Sequence, residues 1–165
     1  MAANSTTIAI RNAIEATSIE FIKSYEAGWE EKKPALISRS LEPTCKRIIA
    51  PASYMRGHGV PADFAFTNDM YEEQYAKDVK VSRVLGSKIS FLVIDTEERK
   101  SAFTSVSDIE YSDGEKGVVE IAWFLQFNND ASKISNVLEF VDGDSSKKFF
   151  AKCRELEAKL EGPLL

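Results

Sequence analysis

Several side chains of this 165-residue chain could move a proton or steady a developing charge. Glu120 stands between Val119 and Ile121, and Glu139 between Leu138 and Phe140, so both carboxylates interrupt otherwise apolar strands. Desolvation in an apolar pocket raises a carboxyl pKa toward neutrality, which suits a general acid or base. Glu120 shares a strand face with Ala122, Phe124 and Gln126. That parity points it either at the pocket, if a bulge intervenes, or at a partner subunit. An exposed strand position or an ion pair is the alternative for each.

Three phenols, Tyr54, Tyr71 and Tyr75, could donate a hydrogen bond to a carbonyl, and packing onto the sheet is the alternative for Tyr71. His58, the only histidine, lies in a Gly57-His-Gly59 loop and could serve as a lid or a proton carrier, or simply face solvent. Arg39, near the end of a short helix, and Arg47, in a short strand, could each anchor a substrate carboxylate or carbonyl. Pairing with Glu42 is the alternative for Arg39. Phe91, Trp123 and Phe124 read as pocket wall or interface.

Other chemistries lack their parts. Ser53 and Ser105 have no histidine–acid arrangement of the hydrolase kind. Gly57, Gly59 and Gly86 fit neither phosphate-loop spacing. One histidine and two distant cysteines, Cys45 and Cys153, exclude a multi-histidine metal centre, a four-cysteine zinc site and a disulfide framework. The expectation is therefore an enzyme without metal or organic cofactor.

These residues need elements to hold them. Asn4 or Ser5 can cap a helix carrying Ile8, Ile14, Phe21, Ile22 and Tyr25, which runs to about Ala27 and stops at Gly28. Pro34 can open a second, short helix. Residues 45–50 read as a short strand, 55–61 as a loop, and Asn68 or Asp69 as the cap of a short helix through Tyr75. Four consecutive strands, 84–95, 101–111, 118–128 and 133–141, follow with polar turns between them. A final helix, capped by Asp144 or Ser145, carries Phe149, Phe150, Leu156 and Leu160. Helices segregated from an antiparallel meander give an α+β class, in one domain spanning 1–165.

The net charge of −5 argues against a nucleic-acid partner, and no apolar run approaches the ~20 residues of a membrane span. The amino-terminal segment has no basic start or apolar core of the secretory kind, so the expected location is cytoplasmic. Both faces of strand 118–128 carry large apolar groups. One can meet the helices, and the other calls for a second copy of the chain, a sheet-to-sheet homodimer.

The motifs Thr44-Cys-Lys-Arg47 leading into Pro51-Ala-Ser53, and Asn68-Asp-Met-Tyr71, are followed by Val93-Ile-Asp95 with Arg99-Lys-Ser-Ala102, and Gly114-Glu115. Glu120-Ile-Ala-Trp-Phe-Leu-Gln-Phe127, Lys133-Ile134 and Glu139-Phe-Val-Asp142 complete the series. In this order, across about residues 6 to 142, the chain resembles the SnoaL-like, or nuclear transport factor two-like, proteins of fungal secondary metabolism. The resemblance implies a cone-shaped, curved antiparallel sheet covered by N-terminal helices, with a small hydrophobic ligand in its mouth, in a dimer. It also implies cofactor-free isomerisation, rearrangement, cyclisation or dehydration of a terpenoid, polyketide or alkaloid intermediate. Glu139-Phe-Val-Asp142 resembles the family's closing motif, which places Glu139 slightly ahead of Glu120. Tyr71 is preferred among the phenols only because Asn68-Asp-Met-Tyr71 resembles a motif of the same family. A non-catalytic ligand-binding or dimeric interaction module of the same fold is the alternative.

Overall fold

The computed structural model describes residues 5–162; Asn4, one of the two suggested caps of the first helix, lies outside them. Helix α1 (Ser5–Glu30) is followed by a 3-10 turn (Pro34–Ser38), β1 (Leu41–Ala50), α2 (Ala52–Gly57), β2 (Ala65–Phe66) and α3 (Asn68–Asp78). Four long strands come next, β3 (Ser82–Asp95), β4 (Lys100–Tyr111), β5 (Lys116–Phe127) and β6 (Ile134–Val141), before helix α4 (Gly143–Glu161). They form one six-stranded sheet in the order β2-β1-β6-β5-β4-β3.

The meander from β3 to β6 is antiparallel as expected, but β1 joins β6 in parallel, so the sheet is mixed. Strand β3 carries register shifts between Val84 and Gly86 and between Ser90 and Val93. Bulges of this kind bend a strand and add twist, which curls the sheet into an open cone.

Other expectations shift by a few residues, each for a local reason. Helix α1 runs through Gly28 rather than stopping there: a Cβ at Gly28 would lie 2.8 Å from the Tyr75 ring. That glycine allows α3 to approach α1 closely instead of ending the helix. Residues 52–57, half of which read as loop, form α2, whose last residue is Gly57. Thr67, not Asn68 or Asp69, caps α3 by accepting from the Met70 amide, and Asp142, not Asp144 or Ser145, caps α4 through the Ser145 amide.

Two clusters divide the concave face. In one, Ile14, Phe21 and Ile22 of α1 pack on Phe103, Trp123, Leu125 and Val137 of the sheet, with Phe21 edge-on to Trp123 at 5.1 Å. In the other, Cys153 and Leu156 of α4 pack on Val81, Ile109 and Tyr111. Each large apolar side chain so buried contributes ~1.5–3 kcal/mol. Along β4 the inward positions between Phe103 and Ile109 are Ser105 and Ser107. Small side chains there leave the space between the clusters unfilled.

Candidate active site

That space is a cavity of about 540 Å³, walled by α1, α2, α3, the concave sheet face and α4. Its lining is mostly apolar, with Ile22, Phe66, Ile121, Trp123, Phe149 and Phe150 prominent. Such a volume fits a small polycyclic molecule.

Glu139 lies at the wall, 5% exposed. Strand alternation puts it on the inner face with Val137 and Val141, opposite Trp123 of β5 and Ile49 of β1. The Tyr71 hydroxyl of α3 donates to its Oε2 at 2.9 Å. Tyr25 of α1 donates to the Tyr71 oxygen at 3.3 Å, and Arg47 Nη1 donates to the Tyr25 oxygen at 2.8 Å. Four side chains from β6, α3, α1 and β1 thus form an oriented chain, cation at one end and carboxylate at the other.

Arg47 is fully buried. Its guanidinium stacks 3.7 Å from the centre of the Tyr71 ring, and Nη2 donates to the Ile37 carbonyl at 3.4 Å. Tyr25, Tyr71 and Glu139 line the cavity while Arg47 sits behind them, so its charge is relayed to the cavity wall through the tyrosines and it is not itself placed to anchor a substrate. Burial disfavours the cation, but the neighbouring phenols and Glu139 more than offset this, and the guanidinium remains charged.

Burial raises the Glu139 pKa above the ordinary carboxyl value, although the Arg47 charge and the Tyr71 hydrogen bond pull it down. Desolvation likewise raises Tyr71 well above an ordinary phenol, with the Glu139 charge adding to it. Tyr71 is therefore a neutral donor at any physiological pH, and Glu139 a carboxyl whose affinity for a proton is tuned upward. This is the division of labour that proton transfer needs.

The other sequence candidates separate. Tyr54 lines the cavity, and Trp123 lines it with its indole Nε1 tied to Ser105 Oγ at 2.8 Å. His58 stands at the rim, exposed, with Nδ1 2.9 Å from the Tyr54 carbonyl and its ring 4.5 Å from the Tyr54 ring. The tautomer that donates from Nδ1 turns Nε2 outward.

Arg39 is not part of the wall: it pairs with Glu20 at 2.5 Å on α1, rather than with Glu42. Glu120 is exposed on the outer face, because the β4–β5 register runs unbroken from Lys116 to Gln126 and no bulge reverses its parity. Phe91 is 84% exposed, thrown out by the β3 bulge where its φ is +56°. Arg39, Glu120 and Phe91 therefore leave the site.

In the sequence Tyr25 reads only as part of an apolar helical stripe, and Asp78 carries no local signal. Tyr25 follows Phe21 by four residues, so the same stripe that builds the core delivers a hydroxyl to the site. Asp78 follows Tyr71 by seven, again on one helical face, and it lines the cavity. Among the described residues no cluster of three His, Cys, Asp or Glu side chains could hold a metal ion.

The buried cation has a measurable consequence. Substituting Arg47→Met would leave Glu139 without its counter-charge and Tyr25 without its donor. Chemical denaturation at neutral pH should then show a loss of about 3 kcal/mol, the cost of stranding one end of a buried charge network. An unchanged midpoint would refute the coupling between Arg47 and Glu139.

No protein-family model matches the chain, and no curated protein matches it. Solved structures do. It is similar to PrhC from Penicillium brasilianum NBRC 6234, with a TM-score of 0.71 and 16% identity over 91% of this chain and 94% of that one. It is similar to the BvnE pinacolase from Penicillium brevicompactum, at 0.67 and 17% identity over 94% and 97% of the two chains. An NTF2-like protein from Exiguobacterium sp. 255-15 matches at 0.56 and 10% identity over 76% and 98%. At these identities the likeness is one of fold, the SnoaL-like cone.

Proposed function

We propose that this protein is an acid–base enzyme of fungal natural-product biosynthesis, isomerising or rearranging a small hydrophobic polycyclic intermediate without a cofactor. The observation that carries this reading is a buried carboxyl facing an apolar cavity, hydrogen-bonded by a phenol that is itself wired to a buried cation. A carrier or an interaction module needs no such assembly. The likeness to a pinacolase of the same fold agrees with it.

In this mechanism Glu139 accepts a proton from the bound intermediate as its bonds reorganise, and returns it at a second atom, so that no proton or electron is gained or lost. Tyr71 holds the carboxylate by its hydroxyl, and Arg47, through Tyr25, steadies the negative charge while Glu139 is ionised. The apolar lining excludes water, which strengthens each of these interactions and protects cationic or enolic intermediates. Trp123, Phe149 and Phe150 would grip the ring system.

The test is deletion of the gene in the producing organism, followed by mass spectrometry of its metabolites. An intermediate should accumulate, and purified protein should convert it to an isomer of identical mass. A metabolite profile unchanged by the deletion would rule the reading out.

The enzyme is further proposed to work as a homodimer joined through the outer sheet face. Val93, Ala102, Phe124, Leu138 and Ile48 stand in register across five strands on that face, and Phe124 and Phe140 are nearly half exposed. An apolar row of this length is unusual on a free surface. Sedimentation should give twice the 18.4 kDa chain mass, and Phe124→Glu should convert the protein to monomer. A concentration-independent mass equal to one chain would defeat the proposal.

A further inference from the structure

Asp78 has no part in the proton-handling chain, yet it lines the same cavity, seven residues beyond Tyr71 at the end of α3. It is the last residue of α3, where the helix presents its negative pole and an aspartate is disfavoured. It is 8% exposed and forms no ion pair with any described residue. Among the described residues its one side-chain partner is Gln74, whose Nε2 donates to Oδ1 at 3.0 Å, and none of them bonds Oδ2.

The surroundings do not compensate. On its own helix the nearby charge is Lys77, which reaches to Glu73, and the Tyr75 phenol stands beside it. From α4 come the Glu157 carboxylate and the buried Cys153 thiol, and Arg154 lines the cavity farther along that helix. From β3 come Ser82 and Arg83, the latter paired with Glu110. Burial, with Glu157 adding to it, raises this carboxyl to about 7 against the opposing pull of Gln74 and Lys77. An acid placed against every local preference is a functional-site signature when it also faces a cavity.

We propose that Asp78 is a second substrate anchor, donating a hydrogen bond from Oδ2 to a carbonyl or hydroxyl at the far end of the polycycle that Glu139 works on. This rests on the cavity reading given under Proposed function. Tyr71 and Asp78 are seven residues apart on one stripe of α3, a rise of roughly 10 Å. The substrate class is therefore a rigid fused-ring molecule with two neutral oxygen functions about that far apart, one at each end.

Steroid ketones supply the probe: a four-ring diketone with an oxygen at each end, and the corresponding monoketone lacking the distal oxygen. Binding of both is measured by calorimetry at pH 5.5 and 8.5 for the wild type, Asp78→Asn and Asp78→Leu, each checked for fold by circular dichroism. One hydrogen bond predicts that the wild type prefers the diketone about five- to tenfold at pH 5.5. The preference should vanish at pH 8.5, where the ionised acid has no proton to donate.

Asp78→Asn keeps a donor without titrating, so it should retain the preference at both pH values. Asp78→Leu should show none at either. A wild-type preference that is absent at pH 5.5, or that persists at pH 8.5 or in Asp78→Leu, overturns the anchor while leaving the cavity reading intact. Failure of the wild type to bind either ketone overturns the cavity reading and the anchor together. Should Asp78→Leu not fold, the contrast between wild type and Asp78→Asn across pH decides alone.

Discussion

Glu139→Gln should lower turnover of the accumulated intermediate by about 10²–10⁴-fold, the usual contribution of a positioned general acid or base. Gln has the size of Glu and still accepts the Tyr71 hydrogen bond, now 2.9 Å from the carboxylate oxygen, so the wall of the cavity keeps its shape. What disappears is the ability to hold a transferable proton. Binding of the intermediate should therefore change far less than kcat, which locates the loss in the bound-state step. The pH profile gives an independent reading. If Glu139 acts as a base, activity in the wild type rises with pH through its elevated pKa, and that limb should be missing from the residual activity of Glu139→Gln. Near-normal turnover by a folded Glu139→Gln protein would remove Glu139 from the mechanism.

How much of this could be read beforehand depended on the range of the interaction. The long strands were legible because a period of two is a local property. The same parity put Glu120 outward once the β4–β5 register proved unbroken. Glu139 was legible as a carboxylate amid apolar neighbours, the one local pattern that buried catalytic acids leave. Arg47 was legible only as a possible substrate anchor, which its burial behind the tyrosines corrects. Its place depends on α1, the 3-10 turn and α3 closing over β1, and nothing in Cys45 to Ala50 announces that. Tyr25 was concealed in its own helix, where a phenol at an apolar position reads as core. The parallel pairing of β1 with β6 joins residues 90 to 93 positions apart, which no window on the sequence can see. Phe91 was misplaced for the opposite reason: its strand was found, but the bulge that ejects it is set by mismatched register with β4.

Asp78 allows the site's cost to the fold to be measured without any substrate. In the native state its carboxyl titrates at about 7, whereas in the unfolded chain it returns to the ordinary value of 3.8. Between these values the native state holds a proton that the unfolded state has lost, so stability must fall as pH rises. The contribution is fully retained below the unfolded value and is lost through the native one, reaching on the order of 4 kcal/mol by pH 8 at 1.36 kcal/mol per unit. Asp78→Asn preserves the acceptor for Gln74 and removes the titration. Against the wild type it should therefore be nearly neutral at pH 4 and more stable at pH 8 by an amount of that order. Urea denaturation of both proteins across pH 4 to 8 reads the difference directly. A gap that stays constant with pH would mean that Asp78 titrates alike folded and unfolded, whereas one that widens upward identifies a carboxyl kept at the cavity wall against the interest of the fold. Natural proteins tolerate such destabilising placements chiefly where the group has work to do.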